Sequence, residues 1–565
     1  MPGKSKIIIL FTIIIISVSL RVWNMTSFDI GGDHALNSFR ALGWLDFVPG
    51  EGQTGPLQWF GERPSWSFLS FQDAPPLVFA IQHASFALFG DNTLATRLPF
   101  LLFGFFCIGL TYLLLKKYAD TATALVAAAL LGISSYAVWA GNAGYLEGVE
   151  ILFILLSIYF VFPWLDGQSR TRYLWPVFAV LSILSKYTSL FLLPAGAVSL
   201  FLAKGRKFFE KGIIKRAVEF FIIAILLLSP LIIYNVQVFR TRGHFDSALS
   251  SIVGISSHDF YIVEDRRVSS NIISNAKNVG ETLIENNSLT YLFLFLSGLV
   301  FLTVKALKKK NSLFENVILI HFGFLMLMFL LSGAIADRTL SIITIFMAMI
   351  TAIFIIKAYK LIQSKNKSIA RVFVAVSILF VMCELAYSIN TNILQKPIGP
   401  APFMFSASRL YDLGWNDAER YIKEKIFTNS GPRTSIQSIA DVTNVNGDNV
   451  NGRNILFFDE RLNWFSISWY IYKYLIYYDL PLFGISDLGK REENMDFLSF
   501  LASHGSKNIY FLYGADESVL DSIKKQGQIA ESTEVYREAL DKAMIPFEEI
   551  HSSDGGITFK IYKLK

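Results

Sequence analysis

Length, composition and charge exclude most protein classes for this chain. It has 565 residues, of which 53% are hydrophobic and only 17% are charged, and its mean hydropathy is +0.44. Because soluble chains carry about 25% charged residues, soluble, fibrous and disordered proteins are excluded, and an α-helical integral membrane protein is predicted. The net charge of +6 falls in short clusters between apolar runs, which indicates membrane topology rather than nucleic-acid binding.

Apolar runs predict about eleven membrane helices in the first 390 residues. The first run, IIILFTIIIISVSL, follows Lys4 and Lys6 and is not followed by a small-residue cleavage site. It is therefore predicted to remain as an uncleaved helix with a cytoplasmic N-terminus. The further runs lie at 97–115, 122–138, 147–163, 173–185, 188–203, 214–234, 289–306, 314–332, 339–357 and 369–388.

Basic clusters between these runs support the predicted path. The clusters that begin at Lys116, Arg170, Lys204, Lys305 and Lys357 all fall on one side of the membrane when the N-terminus is inside. Inner loops are the ones enriched in Lys and Arg. The odd number of helices then predicts an extracytoplasmic C-terminus in the cytoplasmic membrane.

Three segments on the predicted outer face stand apart from plain connections. The first outer loop, 24–96, is long and contains APPLVFAIQHASFALFG, which is too short to span and is predicted to be an interfacial helix. The fourth outer loop, 235–288, is polar. Beyond 390 the short apolar runs NILFFDE, KNIYFLYG and GITFKIYKLK predict strands, with RLNWFSISWYIYKYLIYY and ESVLDSIKKQG as helices. We therefore predict a transmembrane domain at 1–390 and a small α/β domain at 391–565.

Three acidic residues lie at one depth on the predicted outer side. Asp33 follows the first helix, Asp73 precedes the interfacial helix, and Glu147 begins the fourth helix. Acidic groups near a bilayer are costly and therefore informative. From the residues alone, they are candidates for a general base, a metal site or helix N-caps.

Two basic residues on the same predicted face are candidates for binding an anionic lipid phosphate. Lys186 lies between two apolar half-helices in LSILSKYTSLFLLP, and Arg338 opens the tenth helix in GAIADRTLSI. A cation held there can pair with a phosphate. The alternative is an interfacial anchor whose charge extends to the headgroups.

The order of these features resembles the GT-C superfamily of polyprenyl-phosphate-sugar glycosyltransferases, in the branch of the protein O-mannosyltransferases and the lipid A aminoarabinose transferase. The most specific match is DAPPLVFAIQHASFALFGDNTLATRLPFLLFG, which corresponds to the family's acidic-Lys-Pro-Pro-Leu motif, interfacial helix and Arg-Leu-Pro. Asp33 takes the place of the acidic residue after the first helix. Leu146-Glu147, Ser185-Lys186-Tyr187 and Arg338-Thr339 take the places of three later motifs. The resemblance covers about residues 7–390.

This chain departs from the family pattern at four positions. Ala74 replaces the Lys that contacts the lipid phosphate in the family, and Glu147 replaces an Asp. Tyr187 replaces a Gly and Thr339 replaces a Tyr. The resemblance therefore implies that the reaction type is retained, while the phosphate contacts are partly rebuilt.

The resemblance implies a membrane glycosyltransferase that moves a sugar from a polyprenyl-phosphate donor to an acceptor hydroxyl on the outer face, with inversion. Asp33 is the implied general base, with Glu147 and Asp73 orienting substrate or binding a divalent cation with Asp33. The candidate substrate-binding residues are Lys186, Arg338, His83, Arg240 and Arg242, with Arg266 and Arg267 as further cations in the fourth loop.

Several alternatives stay open at this stage. A metal-dependent oligosaccharyltransferase of the same superfamily would have a more elaborate soluble domain. A transporter or flippase would show inverted repeats and charges at mid-membrane. No cofactor is certain, and a divalent metal held by Asp33 and Glu147 is one alternative. The acceptor can be a lipid, a glycan or a protein, and neither the sugar nor the acceptor is fixed by the sequence.

Overall fold

The structure is a computed structural model, and it describes residues 3–23, 25–43, 55–70, 74–167, 170–256, 271–331, 336–394, 412–427, 450–492, 495–521 and 528–564. The chain forms two compact units. The first unit contains Met1–Met25, Phe68–His258 and Ile262–Leu410. The second unit contains Thr26–Ser67 and Tyr411–Lys565.

Most of the described residues are helical, as the composition predicts. In chain order the α-helices are α1 (Gly3–Val22), α2 (Gly32–Gly43), α3 (Pro56–Phe60), α4 (Leu77–Phe89), α5 (Thr93–Tyr118), α6 (Thr121–Ile133), α7 (Ser135–Asn142), α8 (Leu146–Asp166), α9 (Leu174–Ser185), α10 (Leu192–Lys204), α11 (Lys211–Arg242), α12 (Ser247–Val253), α13 (Ile272–Asn286), α14 (Leu289–Leu307), α15 (Leu313–Leu331), α16 (Asp337–Leu340), α17 (Ile343–Gln363), α18 (Lys367–Ile389), α19 (Trp415–Tyr421), α20 (Trp464–Ile467), α21 (Lys473–Tyr478), α22 (Phe497–Ser503) and α23 (Gln528–Lys542). The β-strands are β1 (Ile455–Phe458), β2 (Leu482–Gly484), β3 (Arg491–Glu492), β4 (Met495–Asp496), β5 (Ile509–Gly514), β6 (Phe547–His551) and β7 (Ile557–Leu564).

The first unit contains the membrane helices, which confirms the polytopic fold class. Within the described residues, nine helical segments are long and apolar enough to cross a bilayer, and ten if α6 and α7 form one bent span. Helix α17 lies at the centre of this unit, because every residue of Ile343–Ile353 is buried. The prediction of eleven spans differs from this result at two places, the α6–α7 pair and α9.

The bend between α6 and α7 has an identifiable cause. The two helices meet at an angle of 61°, and Ser134 between them has non-helical backbone angles. The buried amide of Ser135, at the start of α7, donates to the buried carboxylate of Glu384 on α18 (2.8 Å), and the Asn392 side-chain amide donates to the Ser135 carbonyl (3.3 Å). Glu384 thus accepts an amide that the break leaves without a partner within the helix.

Helix α9 is too short to cross a bilayer by itself. Its 12 residues rise about 18 Å at 1.5 Å per residue, whereas the hydrocarbon core is about 30 Å thick. Nevertheless, its last turn reaches the first turns of α8, where the Ser182 hydroxyl donates to the Glu150 carbonyl (3.4 Å). The chain therefore returns along α8 before the next candidate span, Tyr187–Phe209.

The second unit contains a mixed five-stranded sheet of order β2-β1-β5-β7-β6. Strands β2, β1 and β5 are parallel, and β7 pairs antiparallel with both β5 and β6. The runs NILFFDE, KNIYFLYG and GITFKIYKLK form β1, β5 and β7, as predicted. The predicted helix ESVLDSIKKQG is wrong in its first part, because Glu517–Val519 forms only a 3₁₀ turn before an extended Leu520.

Part of the predicted first outer loop belongs to the second unit. Helix α2 carries Phe39, which is completely buried and packs with Leu57 and with Ile476 of α21. The Tyr477 hydroxyl donates to the Phe39 carbonyl (2.7 Å). Residues that precede the second membrane helix therefore share a core with residues that follow the last one. The domain boundary near residue 390 stays a prediction. The compact second unit contains Thr26–Ser67 in addition to the residues from Tyr411 onward.

Candidate active site

Three separate sequence motifs meet in the first unit. Glu147 lies in the first turn of α8, Lys186 lies in the break after α9, and Arg338 and Thr339 lie in α16. Their side chains come together, although Glu147 and Thr339 are 192 positions apart. We call these four residues the Glu147 cluster.

The contacts within the Glu147 cluster are polar and direct. Lys186 forms an ion pair with Oε1 of Glu147, and its ammonium donates to the Thr339 hydroxyl (2.8 Å). The Thr339 hydroxyl donates to the same carboxylate oxygen (2.9 Å). Nε of Arg338 lies 3.9 Å from that oxygen. Thr339, which stands where the family has Tyr, thus links the acid to the cation.

Burial distinguishes the acid from its two cations. The Glu147 side chain is 1% exposed, whereas the side chains of Lys186 and Arg338 are 20% and 28% exposed. The cluster carries two positive charges against one buried negative charge, so its accessible part is cationic. Because Lys186 is bound to a buried acid, the reading of this residue as a headgroup anchor is disfavoured.

Glu150 is a site residue that the sequence reasoning missed. It lies one turn after Glu147 on α8 and is completely buried. Its Oε1 accepts hydrogen bonds from the hydroxyls of Ser189 (2.6 Å) and Thr188. The signal was present in LEGVE, because acids three positions apart share one face of a helix.

A second buried acid holds the other side of the Lys186 segment. Asp246, at the start of α12, is completely buried and accepts a hydrogen bond from the Tyr187 hydroxyl (2.6 Å). The Asn235 amide of α11 donates to the same oxygen (2.9 Å). Tyr187, which stands where the family has Gly, therefore ties the Lys186 segment to the end of α11. Lys186 has extended backbone angles between two helices, and Glu150 and Asp246 together fix that break.

The structure also places the other predicted binding residues of the first unit. His83 lies on α4 and is half-buried. Arg240 and Arg242 lie at the C-terminal end of α11, so this helix ends later than the predicted residue 234. It continues to Arg242 because its buried face continues through Tyr234 and Val238, and the binding role of the two arginines stays a prediction. Asp73, Arg266 and Arg267 lie outside the described residues.

Asp33 lies in the second unit, in the first turn of α2. It is half-buried and follows Gly32, whose φ of +56° favours glycine. Among the described residues, no group of three or more His, Cys, Asp or Glu side chains is arranged to hold a metal ion. The alternative of a metal held by Asp33 and Glu147 stays a prediction.

Comparison with known proteins supports the resemblance. Residues 73–234 match the family model described as dolichyl-phosphate-mannose-protein mannosyltransferase, a range that includes Glu147 and Lys186. A search of curated protein sequences gives no match.

Two solved structures show the fold. ArnT from Cupriavidus metallidurans in the apo state has a TM-score of 0.51 at 10% identity, with 100% of this chain and 98% of that chain covered. The oligosaccharyltransferase of Archaeoglobus fulgidus in the apo form has a TM-score of 0.51 at 13% identity, with 99% and 74% covered. The chain therefore shares the fold of these two proteins, as the resemblance predicts.

Proposed function

We propose that this protein is a membrane glycosyltransferase that moves a sugar from a polyprenyl phosphate to an acceptor hydroxyl outside the cytoplasm. The observation that carries the proposal is the Glu147 cluster, in which motif positions from α8, the α9–α10 break and α16 converge. The match of residues 73–234 to a family of lipid-phosphate-sugar transferases supports the same activity.

The chemistry of a phosphate leaving group fits the cluster. Lys186 and Arg338 extend from a buried acid towards the accessible side, where they can bind phosphate oxygens. In the transfer step, the acceptor oxygen bonds to the anomeric carbon while the bond from that carbon to the phosphate oxygen breaks. The departing polyprenyl phosphate is already anionic, so the cations stabilise its charge and a general acid is not required.

Asp33 is the proposed base for the acceptor hydroxyl. It takes the proton as the hydroxyl attacks, and a single displacement inverts the anomeric centre.

Asp33→Asn keeps the size of the side chain and removes the proton acceptor. We expect transfer to fall about 100-fold or more, with binding of undecaprenyl phosphate unchanged. Restoration of glycans in a deletion strain, followed by mass spectrometry, measures the transfer and also identifies the acceptor. Wild-type restoration by Asp33→Asn would contradict the assignment.

Binding of undecaprenyl phosphate to the purified protein tests the phosphate contacts. A hydrogen bond to a charged group contributes about 1.5–3 kcal/mol, so we expect Lys186→Ala and Arg338→Ala each to weaken binding about tenfold or more. Undecaprenol, which lacks the phosphate, should bind equally to all variants. Lys277→Ala is the matched control, since this lysine of α13 is 75% exposed and forms an ion pair with Glu281. Equal binding by wild type and Lys186→Ala would exclude Lys186 from the phosphate site.

The second candidate is an oligosaccharyltransferase, because the Archaeoglobus enzyme has the same TM-score as ArnT. Such an enzyme transfers a whole glycan. The oligosaccharyltransferase considered as an alternative in the sequence analysis is metal-dependent. Treatment with EDTA distinguishes the two candidates: transfer that persists after EDTA favours the polyprenyl-phosphate enzyme, and transfer that is lost and then restored by Mn²⁺ or Mg²⁺ favours the oligosaccharyltransferase.

A further inference from the structure

Asp29 connects the first outer loop to the C-terminal residues of the second unit. Its side chain is nearly completely buried. One carboxylate oxygen accepts the backbone amides of Leu413 (2.7 Å) and Trp415 (3.1 Å), and the other accepts the amide of Asn416 (2.9 Å). These amides begin α19, whose N-cap position is occupied by Gly414 and so has no side chain to bind them. A residue almost 400 positions earlier therefore satisfies this helix terminus.

The residues next to Asp29 add further bonds to the same region. The Ile30 amide donates to the Tyr470 hydroxyl (2.6 Å), and that hydroxyl donates to the side-chain carbonyl of Asn416 (3.0 Å). The Asn416 side-chain amide donates to the Ser27 carbonyl (3.1 Å). The ring of Tyr470 also stacks on that of Trp415, with centroids 5.3 Å apart. Residues 27–30 are thus bonded on both sides to segments that follow residue 411.

The far end of α2 is held in the same way. The ring of Phe39 packs on Tyr477 with centroids 5.3 Å apart. Gly43 closes the helix so near to Tyr477 that a Cβ atom there would lie 2.0 Å from the ring. Both ends of α2 are consequently fixed by α19–α21 and the π-helical turn Ser468–Tyr472.

From these contacts we propose that the C-terminal part of the second unit positions α2, and that Asp29 is the positioning residue for Asp33. The inference rests on the proposed function, in which Asp33 is the base. Asp33 follows Asp29 by four positions and opens α2, so its carboxylate has little freedom while both flanks are bonded. A displacement of about 1 Å at a reacting group can cost about 100-fold in rate.

The test uses the full-length protein with Asp29→Ala and Asp29→Asn. Asp29→Ala removes all three amide bonds, and we expect glycan restoration in the deletion strain to fall tenfold or more. Amide hydrogen exchange across 26–43 should rise, while binding of undecaprenyl phosphate stays within twofold of wild type. Asp29→Asn keeps one oxygen acceptor and should recover part of the activity. Tyr470→Phe removes only the hydroxyl that accepts the Ile30 amide. It should also lower glycan restoration and raise exchange, but less than Asp29→Ala does.

Asp417→Ala is the matched control, because this acid lies on α19, is 52% exposed and pairs with Arg420. It should leave both activity and exchange unchanged. Asp29→Ala with faster exchange and wild-type activity would overturn the inference, as would Asp29→Ala that also loses undecaprenyl phosphate binding. Asp33→Asn, measured in parallel, separates the positioning role of Asp29 from the role of Asp33 as the base. If Asp33→Asn is inactive and Asp29→Ala is normal, only the positioning role fails; if Asp33→Asn is active, the assigned base itself fails.

Discussion

At the scale of single residues, the ion pair between Lys186 and Glu147 couples binding to stability. Glu147 is buried, and its second carboxylate oxygen has no hydrogen-bond partner among the described residues. Removing one partner of a buried ion pair costs about 3–5 kcal/mol, whereas replacing both partners with neutral groups can be nearly neutral. Loss of activity in Lys186→Ala alone therefore does not distinguish a binding defect from an unfolded protein.

A double variant separates these effects. We predict that Lys186→Ala lowers the melting temperature in detergent, and that Glu147→Gln combined with Lys186→Met restores most of the loss, since no unpaired charge stays buried. Undecaprenyl phosphate binding should stay weak in the double variant, because the cation is still missing. Recovery of binding together with stability would show that Lys186 acts only on folding.

Glu150 is predicted to act on the Lys186 segment through its hydrogen bonds. Glu150→Ala leaves the hydroxyls of Thr188 and Ser189 without their acceptor, whereas Glu150→Gln keeps an oxygen in place. We expect Glu150→Ala to weaken undecaprenyl phosphate binding about three- to tenfold, corresponding to about 1 kcal/mol per hydrogen bond. Glu150→Gln should lie close to wild type. Equal loss in both variants would indicate that the negative charge matters rather than the hydrogen bonds.

At the scale of elements, Glu384 joins the starts of two helices to α18. One carboxylate oxygen accepts the Ser135 amide at the start of α7, and the other accepts the Ser288 amide before α14 (both 2.8 Å). Backbone amides at a helix start have no partner within the helix. In an apolar environment each unpaired amide is costly, so this one side chain stabilises a helix bend and a helix start together.

We predict that Glu384→Ala lowers the melting temperature strongly, because the buried Ser135 amide and the half-buried Ser288 amide lose their acceptor, at about 1–3 kcal/mol for each buried group. Glu384→Gln keeps one oxygen acceptor and should be intermediate. Glu281→Ala provides the control, since that acid is 57% exposed and pairs only with Lys277 at 3.6 Å in the described structure of α13. A melting temperature for Glu384→Ala equal to that of the control would show that other groups satisfy these amides.

At the scale of the whole molecule, the path of the chain decides which side of the membrane carries the C-terminal residues. Helix α9 is shorter than a bilayer but reaches the first turns of α8, so it reverses the chain as a full span would. We therefore predict that residues after 411 lie outside the cytoplasm. A fluorescent protein that matures only in the cytoplasm, fused after Lys565, should stay dark, while an alkaline phosphatase fusion should be active. The opposite pair of results would contradict this topology.

The local pattern of the sequence was sufficient for the membrane fold and for most elements. Apolar runs and basic clusters predicted the helices because burial in lipid requires long apolar segments with internally paired backbones. Alternating apolar and aromatic residues predicted β1, β5 and β7 for a similar local reason. Motif positions also indicated Glu147, Lys186 and Arg338 as candidates, although their functional roles stay predictions.

Tertiary structure alone decided which distant residues share surroundings. The convergence of Glu147, Lys186 and Thr339, and the bonding of Asp29 to amides at 413–416, join residues separated by tens to hundreds of positions. The contacts of Glu384 also depend on tertiary structure, because a single acid in an apolar run does not indicate which helix starts it will bind. Hydrophobic periodicity is read within one helix or strand, whereas partners for buried polar groups come from wherever packing brings the chain together. For this protein, sequence therefore determined the elements and the fold class, and packing determined which polar side chains stabilise the candidate site.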